Sequence, residues 1–270
     1  MDIAKAFILG IIEGITEFLP VSSTGHLILA GDLLGFTGEK AKVFEVFIQL
    51  GAILAVVWLY RERVLSSVKS IGTKKTNQSL LKTRRDRFLL NIFIAFLPAA
   101  FFGLLTHSFI KHYLFNPITV ASALILGGIV MLVVERIAPN PMVVDVDEVS
   151  VKKAFGIGMA QVLSLFPGVS RAGATIMGGM ILKLDRKTAT EFSFFLAIPT
   201  MFAATAYDLL KSLHSLSTDD ISIFAIGFIT SFFSALVVIK AFIRFIAGHN
   251  FNSFAVYRII FGAAILFYYT

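Results

Sequence analysis

EFLPVSSTGH, residues Glu17 to His26, decides how this chain is read. A carboxylate, three hydroxyls and an imidazole lie close together, and the residues on either side are mostly Ile, Leu, Phe, Ala and Gly. Residues 3 to 35 would make one membrane helix if Pro20 and the hydroxyl run did not break it in the middle. Neither half can span alone, because crossing about 30 Å of hydrocarbon takes roughly 20 apolar residues. Irregular backbone at that depth survives only where protein buries it or it lines a wet cavity. The segment is therefore expected to be a re-entrant helical hairpin. A second one is expected at 153 to 182, broken at Pro167-Gly-Val-Ser-Arg-Ala-Gly173.

The rest of the chain supports a membrane setting. It is 57% hydrophobic and 15% charged, with mean hydropathy +0.84, outside the range of soluble domains. Six further apolar runs come close to spanning length: 43 to 60, 88 to 106, 118 to 135, 192 to 210, 221 to 240 and 254 to 269. The fold class is thus an all-α polytopic membrane protein, with six transmembrane helices and two re-entrant hairpins in a single membrane domain over 1–270. The net charge of +7 sits in short inter-helix segments, which excludes a nucleic-acid surface and speaks instead to topology. Segment 61 to 87 holds Arg61, Arg63, Lys69, Lys74, Lys75, Lys82, Arg84, Arg85 and Arg87 against Glu62 and Asp86, so it is expected on the cytoplasmic side. Alternation then brings the first hairpin in from outside and the second from inside, with Ser217-Thr-Asp-Asp220 outside. Asn77-Gln78-Ser79 matches a glycosylation sequon by chance on that cytoplasmic side. The N-terminal run is interrupted by Glu13 and lacks a cleavage site, and is read as retained. Zero Cys excludes disulfides and thiolate metal sites.

The chain also resembles itself. Ala6-Phe7-x-x-Gly10-x-x-Glu13 returns as Ala154-Phe155-x-x-Gly158-x-x-Gln161, and Pro20-x-x-Ser23-Thr24 as Pro167-x-x-Ser170-Arg171. Glu45 and Glu191 head matching spans. Each copy is a hairpin plus three spans, about 1–140 and about 150–270. An odd number of spans inverts the second copy, an architecture shared with many secondary transporters.

Ionisable groups within a membrane are costly unless paired or wet, so those in the breaks are functional candidates. Glu13 and Glu17 share a helix face. Two carboxylates suit a hard cation, Mg²⁺ or Ca²⁺, only if phosphate oxygens or water complete the shell. Ser22, Ser23 and Thr24 follow Pro20, with Gly25 expected to allow the turn and Thr24 able to cap the next helix. His26 is within reach of a Ser proton, as nucleophile activation requires. In the second break, Arg171 either pairs with Glu13 or Glu17 or grips phosphate oxygens in a fork. Ser170 and Thr175 add hydroxyls, and Gly168 and Gly173 let N–H groups approach an anion at a helix N-terminus. Arg258 and Asp208 could pair with each other or snorkel to headgroups, and Gln49 could border the polar cavity. Together the two breaks describe a site for a phosphorylated amphiphile.

GIIEGITEFLPVSSTGH (10 to 26) and PGVSRAGATI (167 to 176) resemble the two signature motifs of the undecaprenyl-diphosphate phosphatase family, the BacA/UppP type. The likeness runs on through FEVFIQLGAILAVV and EFSFFLAIP. It implies a hydrolase of class EC 3.6.1.27 in the bacterial inner membrane, open to the outer face. Such an enzyme converts undecaprenyl diphosphate to the monophosphate for peptidoglycan synthesis and confers bacitracin resistance. It further implies a divalent cation, Mg²⁺ or Ca²⁺, at Glu13 and Glu17. The family's catalytic roles fall on Ser23, His26, Glu17 and Arg171, and substrate binding on Ser22, Thr24, Ser170, Gly173 and Thr175. Where many members read S-R-S-G this chain has Ala172, so no hydroxyl acts there. Either Ser23 is the nucleophile, with His26 or Glu17 accepting its proton, or His26 itself is. A polyprenyl-phosphate flippase or secondary transporter is the rival reading of the same architecture, and a homodimer stays open.

Overall fold

Lipid offers a backbone no hydrogen-bond partner, so every long apolar run closes its bonds upon itself as a helix. The computed structural model describes residues 2–72, 84–212 and 221–270. Lys74, Lys75, Lys82, the Asn77-Gln78-Ser79 sequon and Ser217 to Asp220 lie outside the described residues. In chain order the helices are α1 Ile3–Thr16, α2 Ser23–Leu33, α3 Glu39–Leu59, α4 Arg61–Gly72, α5 Arg84–Phe109, α6 Pro117–Ile137, α7 Val151–Val162, α8 Arg171–Ile181, α9 Arg186–Ser212, α10 Ile221–Ile246 and α11 Asn252–Tyr269. Six are long and apolar enough to cross a membrane: Glu39–Leu59, Arg87–Phe109, Pro117–Ile137, Arg186–Asp208, Ile221–Ile246 and Asn252–Tyr269. This is a multi-pass membrane protein. The spans coincide with the six expected runs, most of them extended at one or both ends. Polar flanks such as Glu39 and Arg186 continue the helix beyond the apolar stretch that betrays it.

Polarity is distributed as lipid requires. Phe93, Phe101, Leu104, Leu126, Phe233, Val237 and Phe267 are exposed, while Glu13, Asn91, Gln161, Thr190, Ser193 and Arg258 are buried. With apolar surface favourable on both sides of a helix, close packing rather than the hydrophobic effect holds the bundle together. Helices α1 and α3 both pack on α10, α7 packs on α5, α9 on α3, and α11 on α6. Small residues permit the closest approaches. A Cβ at Gly14 would stand 2.7 Å from Ser234 Cβ on α10, and one at Gly158 would stand 2.9 Å from Ala95 Cα on α5. Gly158→Val is therefore expected to overpack the α5–α7 seam and cost about 1–3 kcal/mol, read as a lower melting temperature in detergent.

The two broken segments fold as helix, break, helix, with α1 against α2 and α7 against α8. Both breaks end on a serine in the left-handed region, Ser22 at φ 71° and Ser170 at φ 70°. Such a conformation costs a non-glycine residue of order 1–3 kcal/mol. Each serine precedes a helix of 11 residues. This corrects the register read from the prolines. The backbone aligns Ser22, not Ser23, with Ser170, and hence Ser23 with Arg171, at the same offset that relates Ala6 to Ala154 and Gly10 to Gly158. It also corrects the role of Gly25, which lies inside α2 against Leu124. Ser22 makes the turn and stands at the N-cap position expected of Thr24.

The linker after α6 closes one end of the bundle. Val143, Val146 and Val149 are buried, Asp185 N–H donates to Val143 O at 3.0 Å, and Arg63 pairs with Asp147 at 2.7 Å.

Candidate active site

Helix α1 stops just short of the first break. Glu17 is its C-cap residue, and its own N–H still donates to Glu13 O at 3.0 Å. That placement puts Glu13 and Glu17 one turn apart, both buried, with their side chains toward the core. Glu17 is engaged on both oxygens. Ser23 Oγ donates to Oε2 at 2.5 Å, and Arg171 Nη2 donates to Oε1 at 3.1 Å. One carboxylate therefore joins the first helical residue after one break to the first helical residue after the other.

Arg171 is held on several sides. Nη1 donates to Ser193 O at 3.1 Å, Nη2 approaches Met201 Sδ at 3.1 Å, and the guanidinium lies over the Phe18 ring at 5.6 Å. Its Nε is buried with no partner, as is Glu13 Oε1. A buried cation and anion that each keep a free polar atom suggest an incomplete constellation, since such atoms are normally satisfied. Of the two readings of Arg171, the pairing with Glu17 is present.

The second break contributes hydroxyls and backbone. Ser170 caps α8 by accepting from Gly173 N–H at 3.1 Å, so that amide is already engaged. Thr175 Oγ1 donates to Ser193 Oγ at 2.7 Å, and Ser193 in turn faces Arg171. Ser193 escaped the sequence reading; a lone serine in the apolar run of α9 was its only signal. Gln161, aligned with Glu13, is fully buried and reaches Thr200 at 3.3 Å.

Two expectations are revised. His26 does not touch Ser23: its Nδ1 bonds Ser22 O at 2.8 Å and its Nε2 meets Tyr257 Oη at 2.6 Å. The group placed to take the Ser23 proton is Glu17. Arg258 neither pairs with Asp208 nor snorkels; Asp208 faces His107 at 3.6 Å. Arg258 is buried and donates to four carbonyls, Pro20 O at 3.2 Å, Gly168 O at 3.0 Å, and Ala123 O and Leu124 O at 3.3 Å each. It thus ties both breaks to α6. Thr24 is half-buried in the first turn of α2 beside Ser23, and Ser22 is buried. Gln49, one turn after Glu45 on α3, is half-buried.

No three of His, Cys, Asp and Glu gather into a metal cage among the described residues. Glu13 and Glu17 could hold a hard cation only together with ligands from substrate and water, and the unpartnered Glu13 Oε1 fits that donor set.

Comparison with known proteins places the chain in a family. The model of the family described as Bacitracin resistance protein BacA matches residues 6–264. The undecaprenyl-diphosphatase of Methylobacillus flagellatus is 56% identical, over 98% of this chain and 97% of the relative. That of Nitrosomonas europaea is 56% identical over 97% and 93%, and that of Aromatoleum aromaticum 53% over 97% and 92%. The chain belongs to the BacA family of bacitracin resistance proteins.

Proposed function

We propose that this chain is an undecaprenyl-diphosphate phosphatase, releasing inorganic phosphate and returning the lipid monophosphate for cell-wall synthesis. The observation that carries the reading is the continuous line Ser23–Glu17–Arg171 across the two breaks: nucleophile, proton acceptor and phosphate-binding cation within bonding distance. A carrier has no use for a hydroxyl hydrogen-bonded to a carboxylate.

In this reading Ser23 Oγ attacks the terminal phosphorus and gives its proton to Glu17. The bond from phosphorus to the bridging oxygen breaks, and the lipid monophosphate leaves with the electron pair, taking up the proton held by Glu17. Water then attacks the phosphoserine and passes its proton to Glu17. The Ser23 oxygen departs with the electron pair, regains the proton, and inorganic phosphate is free. Arg171 balances the charge that gathers on the phosphoryl oxygens, the main task in such a transfer. Ser193 keeps the guanidinium in place chiefly through its backbone oxygen, Thr175 bonds the Ser193 hydroxyl, and Ser170 holds the N-terminus of α8. A divalent cation at Glu13 and Glu17, Mg²⁺ or Ca²⁺, would supply further neutralisation of the diphosphate. The site opens toward the outer face of the bacterial inner membrane, and residues 1–140 and 150–270 are inverted copies of one unit. Supporting that inversion is the exchange of packing partners, α1 on α10 and α7 on α5.

Protein purified in detergent should release phosphate from undecaprenyl diphosphate, lose that activity on chelation and regain it with Mg²⁺ or Ca²⁺. Release that is absent under every cation condition would favour the flippase or transporter reading. Activity indifferent to chelation would remove the cation. Ser193→Ala, which removes the hydroxyl between Thr175 and Arg171 Nη1 but leaves the Ser193 backbone oxygen to Arg171, is expected to raise KM no more than about fivefold, the equivalent of one neutral hydrogen bond, with a smaller change in kcat.

A further inference from the structure

The sequence offered His26 as base or nucleophile, yet the structure engages both of its ring nitrogens away from Ser23. Nδ1 lies 2.8 Å from Ser22 O. A backbone carbonyl only accepts, so Nδ1 carries the hydrogen and donates. In the neutral ring Nε2 is then the acceptor, and the O–H of Tyr257, at 2.6 Å, is its donor. The ring is held flat as well: Phe261 stacks on it with centroids 4.2 Å apart and planes 18° apart, and Tyr257 lies nearly parallel to it at 6°. Tyr257 and Phe261 are one turn apart on α11, so a single helix face presents both the hydrogen bond and the stacking partner.

What His26 holds is one of the two strained serines of the site. Ser22 sits at φ 71°, its side chain makes no capping bond, and the next residue is Ser23. A carbonyl that is gripped fixes the orientation of the peptide joining these two residues, and with it the direction in which Ser23 Oγ leaves the backbone toward Glu17. Backbone strain of this kind persists only when neighbours over-determine it. The His26 donor is one such neighbour, and Arg258, gripping Pro20 O two residues earlier at 3.2 Å, is another.

We propose that Tyr257 is a positioning residue for the phosphatase. It fixes His26 as the Nδ1–H tautomer, His26 clamps the Ser22 carbonyl, and the clamp aims Ser23 at Glu17. The proposal rests on the phosphatase reading above. It makes His26 a brace rather than a base or nucleophile, because its free lone pair is taken by Tyr257.

The test is a double-mutant cycle of Tyr257→Phe and His26→Ala on phosphate release in detergent, with His26→Asn as the conservative control. Tyr257→Phe keeps the ring and its stacking and so protects the fold. It is expected to lower kcat about tenfold with KM within about twofold of wild type. His26→Ala is expected to lower kcat further, and the double variant to be no slower than His26→Ala alone, since Tyr257 acts through His26. His26→Asn, which retains a side-chain N–H for Ser22 O, is expected to recover part of the loss. Nitrogen-15 NMR of labelled histidine should show a protonated Nδ1 at His26 in the wild type and a mixture of tautomers in Tyr257→Phe. A Tyr257→Phe variant with wild-type kcat, a double variant slowed by the product of the single effects, or a protonated Nε2 with bare Nδ1 at His26 would overturn the proposal. Wild-type protein that releases no phosphate would instead sink the phosphatase reading beneath it.

Discussion

Glu17→Gln is expected to lower kcat for phosphate release by about a thousandfold, within the range of about 10²–10⁴ that a positioned general base supplies. The substitution keeps the size of the side chain and an oxygen for Arg171, so the packing of the site should change little. What it removes is the proton acceptor 2.5 Å from Ser23 Oγ. The amide can also turn its NH2 toward Ser23, and the hydroxyl would then accept a bond rather than donate one. Steady-state kinetics in detergent check this, with melting temperature as the control for folding. A variant that keeps more than a tenth of wild-type kcat would remove Glu17 from the proton path and return the role of base to the candidates.

Arg258→Met is expected to cost about 2–5 kcal/mol, because it leaves buried carbonyls without their donor at roughly 1–3 kcal/mol each. Methionine fills similar space but donates nothing to the carbonyls of Pro20, Ala123, Leu124 and Gly168. Two of those carbonyls belong to the breaks, so phosphate release should fall with stability. Arg258→Lys should lie between the two, because an ammonium cannot span all four acceptors as a planar guanidinium does. Thermal unfolding and activity measured on the same preparations test the coupling. A variant that loses stability but keeps full activity would show that Arg258 supports the bundle and not the breaks.

Most of the fold was legible because lipid makes length and polarity informative. A run such as 118 to 135 has one stable solution in hydrocarbon, and Pro20 or Pro167 in the middle of a run has few. The site was legible in membership more than in wiring. Glu17, Ser23 and Arg171 stood out as polar groups in apolar surroundings, and the structure joins them. Residue type could not show which neighbour each would choose. His26 lies three residues after Ser23, within reach on paper, but a helix begins at Ser23 and turns the imidazole toward Tyr257, 231 positions away. Arg258 was conspicuous for its charge, yet its partners are backbone oxygens, which every residue carries and no sequence pattern marks. The register of the repeat was misread for a related reason: prolines caught the eye, while the element that repeats is a left-handed serine visible only in the dihedral angles.

Arg258 also sets an order for biosynthesis. It sits on α11, which the ribosome makes after every other helix described here, and it must be inserted before Pro20 O and Gly168 O acquire their donor. Until then the nascent chain can already have placed Glu13, Glu17 and Arg171 in the bilayer, but the turns that orient them are held by less. Catalytic competence therefore arrives only once α11 is in the membrane. A chain stalled or truncated before α11 would embed its acidic and basic groups in the bilayer with the turns between them lacking the Arg258 donor.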